Sequence, residues 1–362
     1  MYVPVVIKNT VSANCKLDAQ ICSGHPVIIE EKVMKADSEL SKKTALHSTI
    51  PAIYRSPGDK VFKLIIFTLS SAIVLLAAAM AIILYIEGRP AFRAFGHASF
   101  LSNTVWDPVA GIHGALPFIM GTLITSFGAL LLAILPALGV AVFTTEFAPK
   151  GLAQIINYMV DLLAAIPSVI IGLWGIFNFA PFMREKVYSP LYFWATEHAP
   201  GLLPVLGAPS NYNLTTATII LALMIIPYTV ALSRDAIAMV PQEQREACWA
   251  LGATRWEVMS VAVLPYAKPG IIAGVLLSLA RALGETMAVA MLIGNSNRVP
   301  FTLFGPAATM PSVIINEFRE AVEHLHYSSI MAVGFYLFVL TMGINLVASA
   351  IQRKLMLKKG IS

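Results

Sequence analysis

Residues 241–270, PQEQREACWALGATRWEVMSVAVLPYAKPG, run without interruption into residues 271–295, IIAGVLLSLARALGETMAVAMLIGN. The first half is charged and full of turn signals, whereas the second is apolar and holds only Arg281 and Glu285 as ionisable groups. A segment suited to a soluble partner thus feeds directly into a helix that carries charge where hydrocarbon is expected. The junction points to a device that passes work from a soluble protein into a membrane.

Local rules shape the first half. Pro241 suits the first turn of a helix, where its missing N–H would be an orphan anyway, and Glu243 sets negative charge at the positive end of the helix dipole. Gly252 can take the left-handed conformation that closes such a helix. Thr254 and Glu257 have capping-box spacing, so a second short helix is expected to start there. Pro265 is expected to end it, and Pro269 with Gly270 to open the span. Trp249, Leu251 and Trp256 would serve equally for lying on a lipid surface or for docking into a protein groove.

Working outward, the chain has 362 residues, 57% of them hydrophobic and 12% charged, with a mean hydropathy of +0.74. That is too apolar for an ordinary soluble domain and reads as an all-α, polytopic membrane protein. Six uncharged or nearly uncharged runs are expected to be transmembrane helices: 64–86, 115–143, 152–179, 214–232, 269–294 and 328–351. The first holds no charge over 23 residues, enough to cross about 30 Å of hydrocarbon. No small-residue cleavage site follows it, so it is expected to remain as an anchor. Pro117 and Pro136 predict a tilted or interrupted second span, and 144–151 a short polar turn. Asp161 lies in the third span, where a lone carboxylate points to an interior or water-facing position. Residues 180–213 are expected to be a surface loop with some short helix.

Residues 1–60 read as a polar cytosolic tail without packed structure, leaving 61–362 as the six-span domain with its helices at 241–264. Met34 offers a second start, and residues 1–33 are expected to be dispensable. Cys15, Cys22 and Cys248 are an odd number without ligand spacing, so neither a disulfide framework nor a metal site is expected, and no cofactor. The formal net charge of +5 reflects sidedness rather than a nucleic-acid partner. Of the 25 Lys and Arg, 18 fall on the side of the termini and the 233–268 segment, 6 on the other, and Arg281 within a span. The positive-inside rule therefore places both termini in the cytosol.

Within the fifth span, Gly270, Gly274, Ser278 and Ala282 recur every four residues, a stripe that lets another helix approach closely. Arg281 is expected near mid-span with Glu285 one turn on, within ion-pair reach. The pair can be structural, tying helices together, or functional. In the functional reading Arg281 offers its planar fork to an oxyanion in a transient aqueous cavity while Glu285 steadies it.

Glu246, Ala247 and Cys248, then Gly252, then Ala262, Val263, Leu264 and Pro265 resemble the EAA motif of ABC importer permeases. The resemblance implies a cytosolic coupling helix that docks into an ATPase, with Glu246, Ala247, Gly252, Leu264 and Pro265 in that role. Cys248 and Ala262 depart from the usual residues but stay small and apolar. LARALGETMAV, MLIGN and INEFREAVEHLH, with LLAAIPSVIIGLWG and GTLITSFGALLLAI upstream, are similar to the PstC family of bacterial high-affinity phosphate importers. The similarity runs from about residue 60 to the end.

That resemblance implies a type I ABC importer permease fold in the bacterial cytoplasmic (inner) membrane. The implied partners are a PstA-like permease subunit, two cytosolic ATPase subunits and an external phosphate-binding protein. It also implies a substrate pathway through Arg281 and Glu285, with Asp161 at a position where the family tends to be acidic. No GxxxxGK[ST] sequence occurs, so ATP hydrolysis belongs to a partner and the chain is not expected to be an enzyme alone. Two alternatives remain: a permease for sulfate, molybdate or another oxyanion, and a proton-coupled secondary transporter using Asp161 and Glu285. The second would leave the 246–265 motif without a purpose.

Overall fold

The computed structural model describes residues 57–357. Cys15, Cys22, Met34 and nearly all of the expected tail at 1–60 lie outside the described residues. By packing, the chain divides between Leu75 and Leu76; the described part of the first unit, from residue 57 on, is helical throughout.

Helix dominates. Among the described residues five helices are long and apolar enough to cross a membrane, and a sixth span is reached if a bent pair counts as one. In order these are α1 (Pro57–Phe95) and, after the short α2 (His97–Ser102) and a two-strand hairpin, α3 (Leu116–Phe147). The bent pair follows as α4 (Lys150–Ala165) and α5 (Ser168–His198), then α6 (Leu214–Ala238), the short α7 (Gln242–Ala250) and α8 (Arg255–Leu283). Short α9 (Met287–Leu292) and α10 (Met310–Glu317) lead to α11 (His324–Leu357). The hairpin pairs β1 (Trp106–Asp107) with β2 (Ile112–His113), antiparallel, with Trp106 opposite His113.

Several expectations are corrected, each at a proline or glycine. The third span is not one helix: α4 and α5 meet at 91°, because Pro167 lacks an N–H and both Ile166 and Pro167 adopt extended ψ values of 126° and 135°. The stretch 180–213, expected as a loop with some short helix, is continuous helix to His198, passing through Pro181 and Pro190, with further helical turns at Pro200–Leu202 and Leu203–Leu206. The polar turn expected from 144 begins only after Phe147, and Pro265 ends no helix, since α8 runs through it.

One device carries α5 past Pro181 and Pro190 and α8 past Pro265, whereas Pro90, Pro136, Pro227 and Pro269 lie in helix without it. Widened π turns occupy 143–147, 175–179, 184–188 and 258–263. Ala148, Ala180, Ser189 and Leu264 each donate their N–H to a carbonyl five residues back, and each immediately precedes a proline. Proline in a regular helix loses a hydrogen bond and drives its ring against the carbonyl four residues earlier. Shifting the preceding bond to i→i−5 opens the turn there, so α5 and α8 continue, whereas α3 stops at Pro149.

Helix α6 is the most buried span. Asn213 starts it by accepting from the Thr216 N–H at 2.7 Å, and Ile220, Leu221 and Ile225 pack with Leu279, Leu283 and Leu292 of α8 and α9. The small-residue stripe works as expected. A Cβ on Gly270 would lie 2.7 Å from the Ala236 Cβ, and one on Gly274 2.7 Å from the Leu232 Cβ, so glycine sets how closely α6 and α8 approach. At Ser278 the contact turns polar: Thr229 Oγ1 donates to Ser278 Oγ at 2.8 Å, and Ser278 donates to the Gly274 carbonyl at 3.0 Å.

The hairpin end is tied by Glu317, the last residue of α10. Its carboxylate accepts from Trp106 Nε1 at 2.7 Å and Asn297 Nδ2 at 3.2 Å, and contacts His326 Nε2 at 3.0 Å. His113 stacks on His326, fully buried, and neither of its ring nitrogens has a partner among the described residues.

Candidate functional site

The cleft at the end of α8 is built from α6 and α8. Tyr228, Leu232, Ser278, Arg281, Gly284 and Glu285 line a space of about 520 Å³. Helix α8 stops at Leu283, not at 294: the Gly284 N–H reaches back to the Arg281 carbonyl at 3.2 Å and the Glu285 N–H to the Ala282 carbonyl at 3.3 Å. Arg281 therefore sits in the last turn of its helix, where a cation complements the negative end of the helix dipole.

Glu285 follows the helix end, so helical one-turn spacing no longer governs the pair. Among the described residues Arg281 and Glu285 form no ion pair, although both line the cleft. Instead the guanidinium carbon lies 4.1 Å above the centroid of the Tyr228 ring. The cleft thus presents a cation held by a π face, beside a carboxylate that does not neutralise it. Chemically this suits brief binding of an anion by a planar, multiply donating fork.

Asp161 is exposed on α4, a helix with no buried residue, and is not among the residues lining this cleft. The connection from α4 is made by Ala164, whose carbonyl accepts from the Tyr228 hydroxyl at 3.2 Å. Sequence reasoning missed Tyr228, because a contact between α4, α6 and α8 leaves no spacing signal within any one of them.

The second constellation is an elbow. Helix α7 starts directly after Pro241, which caps it in extended conformation rather than entering the first turn. It ends in a Schellman arrangement, with Gly252 at φ +82°, its N–H on the Trp249 carbonyl at 2.9 Å and the Ala253 N–H on the Cys248 carbonyl at 3.2 Å. Thr254 and Glu257 then form the expected capping box, the Thr254 N–H donating to Glu257 Oε2 at 2.7 Å. Glu246, Ala247, Trp249, Leu251 and Trp256 are exposed around the bend, with Leu251 at 88%. Leu264 is half-buried and Pro265 exposed on α8.

Besides the apolar packing of Val258, Met259 and Val263 on Ala137, Ala141 and Val230, a polar tie that was not foreseen holds this elbow to the spans. Arg245 pairs with Glu146 in the π turn of α3, and its other nitrogen donates to the Ile237 carbonyl near the end of α6 at 3.0 Å. The two side chains are only 13% and 14% exposed. A charged residue every few positions in 233–268 gave no hint which one turned inward.

A family model described as the inner membrane component of binding-protein-dependent transport systems matches residues 137–357, the stretch holding both constellations. The phosphate transport system permease protein PstC of Pasteurella multocida is 41% identical over 300 residues, spanning 82% of this chain and 89% of the relative. The chain belongs to the PstC family.

A second PstC relative, from Mesorhizobium japonicum, is 40% identical over 308 residues and is covered to 94% of its length. Solved structures agree on fold. A bacterial alginate ABC transporter in complex with its pentasaccharide-bound periplasmic protein aligns with a TM-score of 0.53 at 16% identity, over 83% of this chain and 98% of that one. The MetNI methionine ABC transporter, inward facing, aligns with a TM-score of 0.51 at 19% identity, over 69% and 99%. As a PstC-family protein the chain has the type I ABC importer permease fold and is an inner-membrane transport subunit, not an enzyme. An ABC importer permease works with a partner permease, an ATPase and a substrate-binding protein.

Proposed function

We propose that this chain is one half of the translocation path of an ATP-driven phosphate importer. Arg281 offers a transient site to the anion, and the elbow at 241–264 receives the stroke of the ATPase. Its partners in this reading are a PstA-like permease, two cytosolic ATPase subunits and an external phosphate-binding protein, with both termini cytosolic. The relatives' printed function supports the substrate. The observation that carries the site is Arg281 itself, a cation in a cleft whose guanidinium rests on a ring instead of a carboxylate. Glu285 lines the same cleft and discourages the anion from staying, whereas Asp161 is exposed on α4 and does not line the cleft.

Coupling follows from continuity. Helix α8 begins in the elbow and carries Arg281 in its last turn, so a pull at the bend beside Gly252 is transmitted through one helix to the cleft. Replacing Arg281→Ala is expected to lower phosphate uptake by reconstituted transporter at least about tenfold, the scale of one charge-assisted contact worth about 1.5–3 kcal/mol. Unchanged uptake would remove Arg281 from the path. Competition by sulfate or molybdate in the same assay, at equal concentration, would reassign the anion.

A further inference from the structure

The break at Pro167 leaves the end of α4 short of donors. Pro167 has no N–H to give to the Leu163 carbonyl, which instead receives the Ile166 N–H at 3.4 Å, and the 91° turn carries α5 away from the Ala164 carbonyl. Tyr228 supplies the missing donor from a different helix, its hydroxyl reaching Ala164 at 3.2 Å. The other end of the same side chain, the ring, is the surface on which Arg281 lies at 4.1 Å. One tyrosine therefore joins the bend of the broken span, the central helix α6 and the last turn of α8.

Resting on the reading of Arg281 given above, we propose that Tyr228 is the positioning residue for Arg281. Its ring seats the guanidinium in the cleft, and its hydroxyl ties that seat to the bend between α4 and α5. A π face suits this task better than a carboxylate. It holds the guanidinium in place yet is weaker than a bidentate oxyanion contact, so the arriving anion displaces it and leaves it to re-form afterwards. Because the hydroxyl is anchored at the bend, a change of bend angle moves the ring and with it the seat. Ser278, one helical turn before Arg281 and bonded to Thr229 beside Tyr228, keeps α6 and α8 in the register that this contact needs.

The test uses the transporter purified with its partner subunits. The rate of phenylglyoxal adduct formation at Arg281, read by peptide mass spectrometry, reports whether the guanidinium is seated. Removing the ring with Tyr228→Leu is expected to raise that rate about 2- to 30-fold, the span that exposed to desolvated cation–π contacts cover. Tyr228→Phe keeps the ring and is expected to keep the slow rate, yet to change the distance between spin labels at positions 162 and 170 across the bend, with Cys15, Cys22 and Cys248 replaced by Ser. An unchanged adduct rate in Tyr228→Leu, or an equally fast rate in Tyr228→Phe, would overturn the seat. An unaltered label distance in Tyr228→Phe would overturn the tie to the bend. Tyr228→Met, which fills the volume without a π face, replaces Tyr228→Leu if the latter fails to assemble. Uptake by Arg281→Ala tests the other reading separately: normal uptake there would end anion handling by Arg281 and leave the adduct result to decide the role of Tyr228.

Discussion

In the elbow, nearly every feature is set by residues within five positions of one another: the Gly252 closure, the Ala253 to Cys248 bond, the Thr254–Glu257 box. In the cleft the deciding contacts run between helices distant in sequence, from Arg281 to Tyr228 and from Tyr228 to Ala164. Local capping chemistry writes a motif into the chain. Cross-helix geometry does not, since any of several polar residues on α6, Thr229 and Ser233 as well as Tyr228, could have met the Arg281 turn once packing set the register.

The largest break in this contrast comes where the elbow depends on distant residues after all. Removing one partner of the largely buried Arg245–Glu146 pair leaves an uncompensated charge, so Arg245→Ala is expected to cost about 3 kcal/mol. A fall in the melting temperature of the purified permease would show this, and an unchanged value would mean the elbow holds itself.

Next to the cleft, where α6 meets α8, Gly274→Val forces atoms against Leu232, where even a Cβ would sit at 2.7 Å. Overpacking of that kind costs about 1–3 kcal/mol, and should separate α6 from α8. The expected readout is a lower melting temperature together with faster chemical modification of Arg281.

Gly252→Val is a purely local counterpart. A Cβ there meets no atom within 4 Å, so the whole penalty is the left-handed backbone at φ +82°, about 1–2 kcal/mol. Insertion in the membrane should survive while ATP-driven uptake falls, and normal uptake would separate the bend from coupling.

The smallest effect lies at the hairpin end. Burial chiefly, and then the nearby His326, hold His113 below its ordinary pKa of 6.5, while Glu317 acts in the opposite direction. The unfolded chain thus binds a proton that the folded one refuses. Stability is fully present above about pH 6.5 and is lost as pH falls toward the lowered folded value. Melting curves at pH 7.5 and 5 should show a decline that His113→Phe flattens.

The spans, the stripe at Gly270 to Ala282 and the capping box were legible because each is a periodic or short-range pattern. Span ends were not. Helix α8 stopped at Leu283, well before the apolar run ended, and Pro181, Pro190 and Pro265 failed to stop helices where proline usually does. The Arg281–Glu285 pairing failed for the same reason: its spacing presumed a helix that had already finished. At Pro167 the rule did hold, and the helix broke.

The π turns have a consequence of phase. Each inserts one residue more than a regular turn holds, which rotates all later side chains by about 100° relative to those before it. Helix α5 carries two, at 175–179 and 184–188, so its far end is turned by about 200° from the position that its first residues would dictate. A stripe that begins on one side of α5 thus finishes almost on the opposite side. One helix can serve two different neighbours along its length without twisting its axis.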